Sequence, residues 1–333
     1  MVYSRFGVLL IILLKRYFTL ILLLVVNCKL CSQSSNVNEV VTDFLIISRA
    51  YVTPGAEAAI HQSSAGWFNS AKPLSKWQYN VSLHGNVLFL PESKKTAQVS
   101  NSQFTNLYLQ DGTETATIPT ALGDDSAIFF EGTVFDEDFE FQALEGINEN
   151  EFVYGFIQAT IGLPYGTQFS VRYAPSININ NVDYLVYGLG IQHNVSQYFK
   201  SPKQFHLALQ ANYSNFKFDI NYDPVKIPGV TFNTIRVLSN SILVQAIASK
   251  RLHYFEPLLA LGFTSSTFRY ELGGDGEALL GALNTALKDL DDTKVNPTAN
   301  LGFNLYFGKL NFQTIATLGA FINLNVSVNY AIN

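Results

Sequence analysis

The chain has 333 residues, a net charge of −5 at pH 7, and equal shares, 14% each, of charged and aromatic residues. Soluble domains carry about 25% charged residues, so this composition is atypical of a soluble enzyme. The acidic balance also disfavours nucleic acid as a partner, because the phosphate backbone is bound mainly by basic side chains.

The first 32 residues have the pattern of a secretory signal peptide. Lys15 and Arg16 precede an apolar run at 18–26, and Ser32 is the expected last residue before cleavage. An uncleaved anchor is the alternative. Removal takes four of the 21 basic residues and none of the 26 acidic ones, which leaves a mature charge of −9. It also takes Cys28 and Cys31, so disulfides and thiolate metal sites are not expected.

The spacing of apolar residues predicts an amphipathic helix over 36–53, with Asn36 as N-cap and Pro54-Gly55 as the stop. A loop rich in Gly, Ser and Pro follows at 61–76. The apolar face of the helix and the aromatic pair of the loop comprise Val37, Val40, Val41, Phe44, Leu45, Trp67 and Phe68.

From residue 77 the period changes to two, which is typical of strands. In 77–90, apolar side chains such as Tyr79 and Val81 alternate with polar ones such as Asn80 and Ser82. Further strands are predicted at 102–110, 126–135, 152–163, 167–180, 182–197, 204–220, 229–249, 254–271, 295–307, 309–318 and 320–332.

These long strands, joined by alternating short and long connections, predict an all-β fold: an antiparallel up-and-down transmembrane β-barrel of about 12 strands, range 10–14, with a short N-terminal helix. The alternative is a secreted soluble β-protein whose alternation packs a sandwich core. We divide the chain into a signal peptide (1–32), a helix and loop (33–75) and the barrel (76–333). Because the apolar stripe of the helix must be buried, we expect the helix to pack either in the lumen, with 33–75 as a lumen plug, or at the periplasmic mouth. A second helix-like insert lies at 272–292.

Four segments carry a resemblance to a known family: GWFNSAKP at 66–73, VLFLPES at 87–93, TATIPTALG at 115–123 and GLPYGTQFSVRYAP at 162–175. Together with the preceding helix they resemble an uncharacterised family of Bacteroidota outer-membrane β-barrels. Leu74 departs from the histidine that usually follows AKP in that family. The resemblance implies a barrel in the outer membrane and implies no reaction.

No residue pattern indicates catalysis, a cofactor or a metal. His193 with Ser196 is the pairing that would suit a barrel hydrolase, but an ordinary lumen or girdle histidine is the favoured interpretation. The acidic clusters 136–140 and 289–292 offer carboxylates of the kind that Ca²⁺ prefers, yet they lack EF-hand spacing and are better read as solvated loops. Aromatic residues near strand ends predict interfacial girdles: Tyr173, Tyr184, Tyr198, Tyr254, Phe255, Tyr306 and Phe307.

Two functions from different classes remain open: a passive channel or binding barrel for small solutes, hydrophobic ones included, and a non-conducting structural or interaction barrel at the cell surface. The expected partners are outer-membrane lipid, lipopolysaccharide, the barrel assembly machinery and a small hydrophobic solute. A periplasmic C-terminus would place the short connections 164–167, 201–204, 249–256 and 308–309 in the periplasm. The long connections 136–150, 223–229 and 272–292 would then lie outside the cell.

Overall fold

In the computed structural model, which describes residues 37–179, 182–200, 202, 204–290 and 293–332, ten antiparallel strands close into a barrel. The barrel strands are β1 (Tyr79–Phe89), β7 (Glu151–Gly162), β8 (Thr167–Ile179), β9 (Val182–Asn194), β10 (Phe205–Ile227), β11 (Val230–Lys250), β12 (Phe255–Asp275), β13 (Thr293–Phe307), β14 (Leu310–Leu318) and β15 (Ile322–Ile332). β1 closes the cylinder by pairing with both β15 and β7. The predicted signal peptide lies outside the described residues.

The predicted all-β barrel is confirmed, and its strand number lies at the low end of the expected range. Ten of the twelve predicted strands form the wall, but 102–110 and 126–135 do not. They contribute to small sheets between β1 and β7, formed by β2 (Thr96–Ser100) with β4 (Thr115–Pro119), and by β3 (Tyr108–Leu109), β5 (Phe129–Val134) and β6 (Glu137–Gln142). Short 3₁₀ turns lie at Glu92–Lys94, Asn101–Gln103, Gln110–Gly112, Pro164–Gly166, Ser196–Tyr198 and Lys288–Leu290.

The two ends of the barrel differ in their connections. The turns 163–166, 195–200, 251–254 and 308–309 lie together with the last residues of β15, and we call this the short-turn end. At the opposite end lie residues 90–150 and the helix α2 (Glu277–Leu287), which together we call the cap. The segment 223–229, predicted as a loop, is instead the tip of the β10–β11 hairpin, whose strands extend well beyond the length that a membrane requires.

Along most of the barrel wall, exposed outward side chains alternate with buried inward ones, and the outward side chains of one band are apolar. In β12 the outward residues from Phe255 to Phe263 are apolar, whereas those from Ser265 onward are polar. The same change occurs on β10 and β11 at Asn215 and Asn240, which face each other in the ladder. The apolar band is therefore about ten residues tall, which matches the ~9–11 residues of a membrane-spanning strand.

The N-terminal helix, α1, runs over 37–64 and passes through the predicted stop at Pro54-Gly55. Proline removes a donor and disturbs the carbonyls of the preceding turn. Here the Ala121 N–H donates to the Tyr51 carbonyl at 2.9 Å and satisfies one of them. The expected short helix was therefore wrong in length, because packing against the cap compensates a local breaker. Among the described residues, no helix is long and apolar enough to cross a membrane.

Candidate functional site

The segment that follows α1, residues 65–75, lies inside the barrel and enters it through a tight turn. Gly66 has φ +65°, and a Cβ there would lie 2.8 Å from the Asn325 side chain. Trp67 comes next and is 1% exposed. Its indole fits because Gly188 and Gly190 of β9 lack side chains: a Cβ on Gly188 would lie 2.8 Å from that ring.

Arg172 of β8 anchors the beginning of this segment. Its Nη1 donates to the Ala65 carbonyl at 2.9 Å and its Nη2 to the Gly66 carbonyl at 2.7 Å. Nε also donates to Gln158 Oε1 at 3.1 Å. The guanidinium lies between the rings of Trp67 and Phe156, 3.9 Å from each centroid, a cation–π arrangement that is strong where water is excluded.

Glu256 of β12 anchors the segment at a second point. Its carboxylate accepts from Ser70 Oγ at 2.6 Å, from Asn304 Nδ2 at 3.0 Å and from the Tyr306 hydroxyl. Ser249 Oγ lies 3.4 Å from Ser70 Oγ. Such charge-assisted hydrogen bonds replace the solvation that a buried carboxylate loses. Tyr306, predicted as a girdle residue, therefore points inward.

Side-chain amides from the wall satisfy the backbone of the segment. Because 67–71 is neither helix nor strand, its carbonyls need partners from elsewhere. The amide donors come from five strands, β7, β9, β10, β13 and β14. They are Gln158 and Gln210 to Trp67 O (3.3 and 3.1 Å), Gln192 to Ser70 O (2.8 Å), Asn194 to Ala71 O (2.9 Å), and Asn304 and Gln313 to Asn69 O (2.7 Å each).

Nearer the cap the interior is apolar and contains α1. A cavity of about 70 Å³ separates its small side chains, including Ala56 and Ala59, from Phe152, Phe218 and Val237 of the wall. A second cavity, of about 260 Å³, lies at the short-turn end between residues 67–75 and the wall. The two cavities differ in chemistry, since amides and hydroxyls contribute much of the lining of the second.

Polar contacts join the outer part of α1 to the cap. The Asp43 carboxylate accepts from the backbone N–H groups of Thr105, Asn106 and Leu107 at 2.7–3.0 Å. Glu57 binds Lys94 at 2.7 Å and Lys294 at 3.0 Å.

Burial acts to raise the pKa of Glu57. The hydrogen bonds and charges of the two lysines outweigh this effect and hold the pKa below its usual value.

An aromatic contact also joins α1 to the cap, since Phe44 stacks on Phe141 with ring centroids 4.9 Å apart.

The seven residues predicted for the plug fall into two groups. Val40, Val41 and Phe44 are buried among cap and wall residues, and Val37 and Leu45 are packed against the same cluster. Trp67 is in contact with Arg172, and Phe68 belongs to a separate apolar cluster with residues such as Ala71 and Ile247. Sequence reasoning missed Arg172 and Glu256. The signal for both was a charged residue at an inward position of an alternating strand.

The structure gives separate hydrogen-bond partners to His193 and Ser196, the two residues whose pairing would suit a hydrolase. His193 Nδ1 lies 2.8 Å from Thr167 Oγ1, and its Nε2 lies 2.9 Å from the Tyr198 hydroxyl. Ser196 Oγ donates to Asn194 Oδ1 instead. Within the described ranges no group of three His, Cys, Asp or Glu residues could hold a metal ion. Asp291 and Asp292 of the second acidic cluster lie outside those ranges.

Comparison with solved structures returns matches of low similarity. The translocator domain of the autotransporter NalP from Neisseria meningitidis is 8% identical, with 86% of this chain and 99% of that chain covered and a TM-score of 0.39. The outer-membrane protease OmpT from Escherichia coli is 9% identical, with 79% and 100% covered and a TM-score of 0.30. TM-scores this low do not establish the fold of this chain. Its barrel is defined by its own strand pairing.

No curated protein matches the sequence significantly. One family model does match, over residues 14–332, and it is described as a family of unknown function, DUF6588. The match covers nearly the whole sequence. The chain therefore belongs to this family, DUF6588.

Proposed function

We propose that this protein is an outer-membrane β-barrel that handles a small solute and whose lumen is closed at rest by its own residues 65–75. The observation that carries the proposal is the ring of inward amides bound to the carbonyls of 67–71. A wall lined with amides and hydroxyls would remain hydrated if that segment moved, which suits a route for a small polar molecule.

The exterior supports the membrane location. Exposed apolar side chains cover the band on all sides of the barrel, among them Leu83, Ile191, Leu261 and Val326. Tyr173, Tyr187 and Tyr213 lie near its cap-side edge, level with Asn215 and Asn240. Amphipathic rings favour the headgroup region. In this proposal the short-turn end faces the periplasm and the cap faces outward, while lipid, lipopolysaccharide and the assembly machinery stay predicted partners.

A disulfide tether tests whether the segment is a movable plug. Ser70 and Ser249, with Oγ atoms 3.4 Å apart, are a suitable pair for cysteine substitution. A matched pair within the wall is Ser241 and Ser266, with Oγ atoms 2.8 Å apart. Both double-cysteine variants would also carry Arg172→Gln. That change removes hydrogen bonds that hold the segment at Ala65 and Gly66.

We expect Arg172→Gln to raise single-channel conductance in planar bilayers, and the oxidised Ser70→Cys/Ser249→Cys pair to lower it again. Reduction should restore it, and the oxidised wall pair should have no effect. If the folded Arg172→Gln variant, verified by its heat-modifiable gel mobility, conducts no more than the original protein, the closed-channel proposal is wrong and a non-conducting barrel is favoured.

The apolar cavity beside α1 supports a second candidate, binding of a small hydrophobic molecule. Its volume of about 70 Å³ is below the ~150 Å³ of an apolar cavity that admits benzene, so only a very small ligand fits without movement of the helix. Xenon binding, followed by ¹²⁹Xe NMR, should be saturable in the original protein and lost in Ala59→Leu. Equal xenon uptake by both proteins would remove this candidate.

A further inference from the structure

We propose that the cavity at the short-turn end is a binding site for a small polyhydroxylated anion, a molecule that carries a phosphate or carboxylate next to hydroxyl groups. This inference concerns equilibrium binding at the mouth and does not depend on whether the barrel conducts. Its volume of about 260 Å³ is close to the lower end of the ~300–1,000 Å³ typical of small-molecule pockets.

Three cationic side chains line the cavity: Lys72, Arg251 and Lys309. The ion pairs that the structure describes lie toward the cap, and none of the three cations takes part in them. Arg251 is held in place, since its guanidinium lies 3.1 Å from the Tyr306 ring centroid and its Nε donates to the His253 carbonyl at 2.9 Å. The lining therefore presents three cationic side chains, none of which forms an ion pair with a carboxylate among the described residues.

The sequence around this end also has an excess of basic over acidic residues. Within 65–78, 163–166, 195–204, 249–257 and 306–311, the one acidic residue is Glu256, and the basic ones are Lys72, Lys76, Lys200, Lys203, Lys250, Arg251 and Lys309. Glu256 is 1% exposed, and its carboxylate is bound by Ser70, Asn304 and Tyr306. In a chain that is acidic overall, a concave basic surface concentrates anions.

The remaining lining is suited to hydroxyl groups. Gln78, Gln168 and Thr160 offer amide and hydroxyl groups, which both donate and accept hydrogen bonds. Asn311 donates through Nδ2 to Asn69 at 2.7 Å, whereas its buried Oδ1 has no partner among the described residues. A buried acceptor without a donor is costly, and a ligand hydroxyl would supply that donor. Cations for an anionic group and an acceptor for a hydroxyl together define the ligand class.

Two sources could supply this chemistry at a periplasmic mouth. One is a soluble sugar phosphate or sugar acid. The other is the headgroup of phosphatidylglycerol in the inner leaflet, in which a phosphate adjoins two hydroxyls. Both present the same groups to Lys72, Arg251 and Lys309. They are distinguished by supplying the ligand either in solution or as part of a lipid bilayer.

Calorimetric titration of the full chain in detergent tests the soluble arm with glucose 6-phosphate, galacturonate, neutral glucose and inorganic phosphate. Nanodiscs of phosphatidylglycerol or phosphatidylcholine test the lipid arm. We expect the anionic sugars, or the phosphatidylglycerol, to bind at least about tenfold more tightly than their neutral counterparts, a difference of about 1.4 kcal/mol, and this preference should shrink as salt screens the cations.

Lys72→Gln/Lys309→Gln should lower the affinity by about tenfold or more, whereas Lys226→Gln, an exposed lysine at the cap end, should not. Asn311→Ala should weaken glucose 6-phosphate and leave inorganic phosphate unchanged. Binding in either arm supports the site and identifies its source. Equal affinity for charged and neutral ligands, an unchanged affinity in the double variant, or no binding in both arms would overturn it.

Discussion

The two halves of the barrel interior hold the same continuous segment by different means. Under the cap, α1 meets an apolar wall of residues such as Leu88, Phe152 and Val237. At the short-turn half, residues 65–75 meet amides and hydroxyls. The helix bonds its own carbonyls and N–H groups internally, so that an apolar wall suffices. The irregular segment cannot do so, and the wall must supply the donors.

Charge follows the same division. Residues 90–150 of the cap contain twelve acidic and two basic residues, whereas the turns at the other end are basic. If the ends face different compartments, as we propose, an anionic solute would meet attraction at one mouth and repulsion at the other. The polarity of the interior and the charge of the two ends thus both change along the barrel axis. Each variant below alters either the cap half or the short-turn half.

The largest expected effect is all-or-none labelling of the two ends. Thr285→Cys, exposed on α2, should react with an impermeant maleimide on intact cells, and Lys200→Cys, exposed in the β9–β10 connection, should react after outer-membrane permeabilisation. We choose Thr285 and not its neighbour Asn284, because the side-chain amide of Asn284 is hydrogen-bonded to the Leu272 backbone. The reverse pattern would invert the proposed orientation, and labelling of both on intact cells would argue against a membrane barrel.

Replacement of Arg172 by leucine should destabilise the polar half by about 3 kcal/mol or more, since the carbonyls of Ala65 and Gly66 and Gln158 Oε1 each lose a donor and an unsatisfied buried group costs about 1–3 kcal/mol. The measurement is the urea midpoint of the refolded barrel. Lysine at this position should rescue part of the loss, because it keeps the charge but not the planar fork. Arg269→Gln, on the outer face of β12, is the control and should leave the midpoint unchanged.

Sequence patterns predicted the strands of the barrel wall far better than the cap, the length of α1 and the contacts of residues 65–75. Alternation in β1 and the β7–β8 hairpin follows from the pleat alone, so polar and apolar faces could be read residue by residue. The strands at 102–110 and 126–135 have the same local pattern but pack in the cap, a choice that depends on long-range pairing. Pro54 likewise predicted a helix end that tertiary contacts override. Arg172 and Glu256 were visible as inward charges, but their partners in 65–71 are distant in sequence.

The slot for Trp67 gives a smaller, local test. Gly188→Val would place a side chain against the indole and against the Tyr213 carbonyl, 2.7 Å from the position of the new Cβ. Overpacking of this kind costs about 1–3 kcal/mol, and the fluorescence of Trp67, measured in a Trp77→Phe background, should shift to the red as the ring meets water. Gly85→Val is the matched control on the outer face of β1, where the nearest atom to an added Cβ lies 4.0 Å away. An unshifted spectrum in the Gly188 variant would mean that Trp67 does not occupy this slot in solution.

The smallest effect concerns the apolar half, where Glu57 ties α1 to Lys94 of the cap and Lys294 of β13. The pKa of Glu57 is lowered in the folded protein from 4.5. Its ion pairs therefore add stability above the unfolded pKa, and this contribution is lost as the pH falls through the folded pKa. The group is only partly buried, so the expected loss is below about 1 kcal/mol. Between about pH 5 and pH 3 the urea midpoint should fall more steeply for the original protein than for Glu57→Gln. Glu92→Gln, which alters the exposed pair with Lys95, should leave the original slope intact. Identical slopes for Glu57→Gln and the original protein would show that α1 is held under the cap by its apolar face alone.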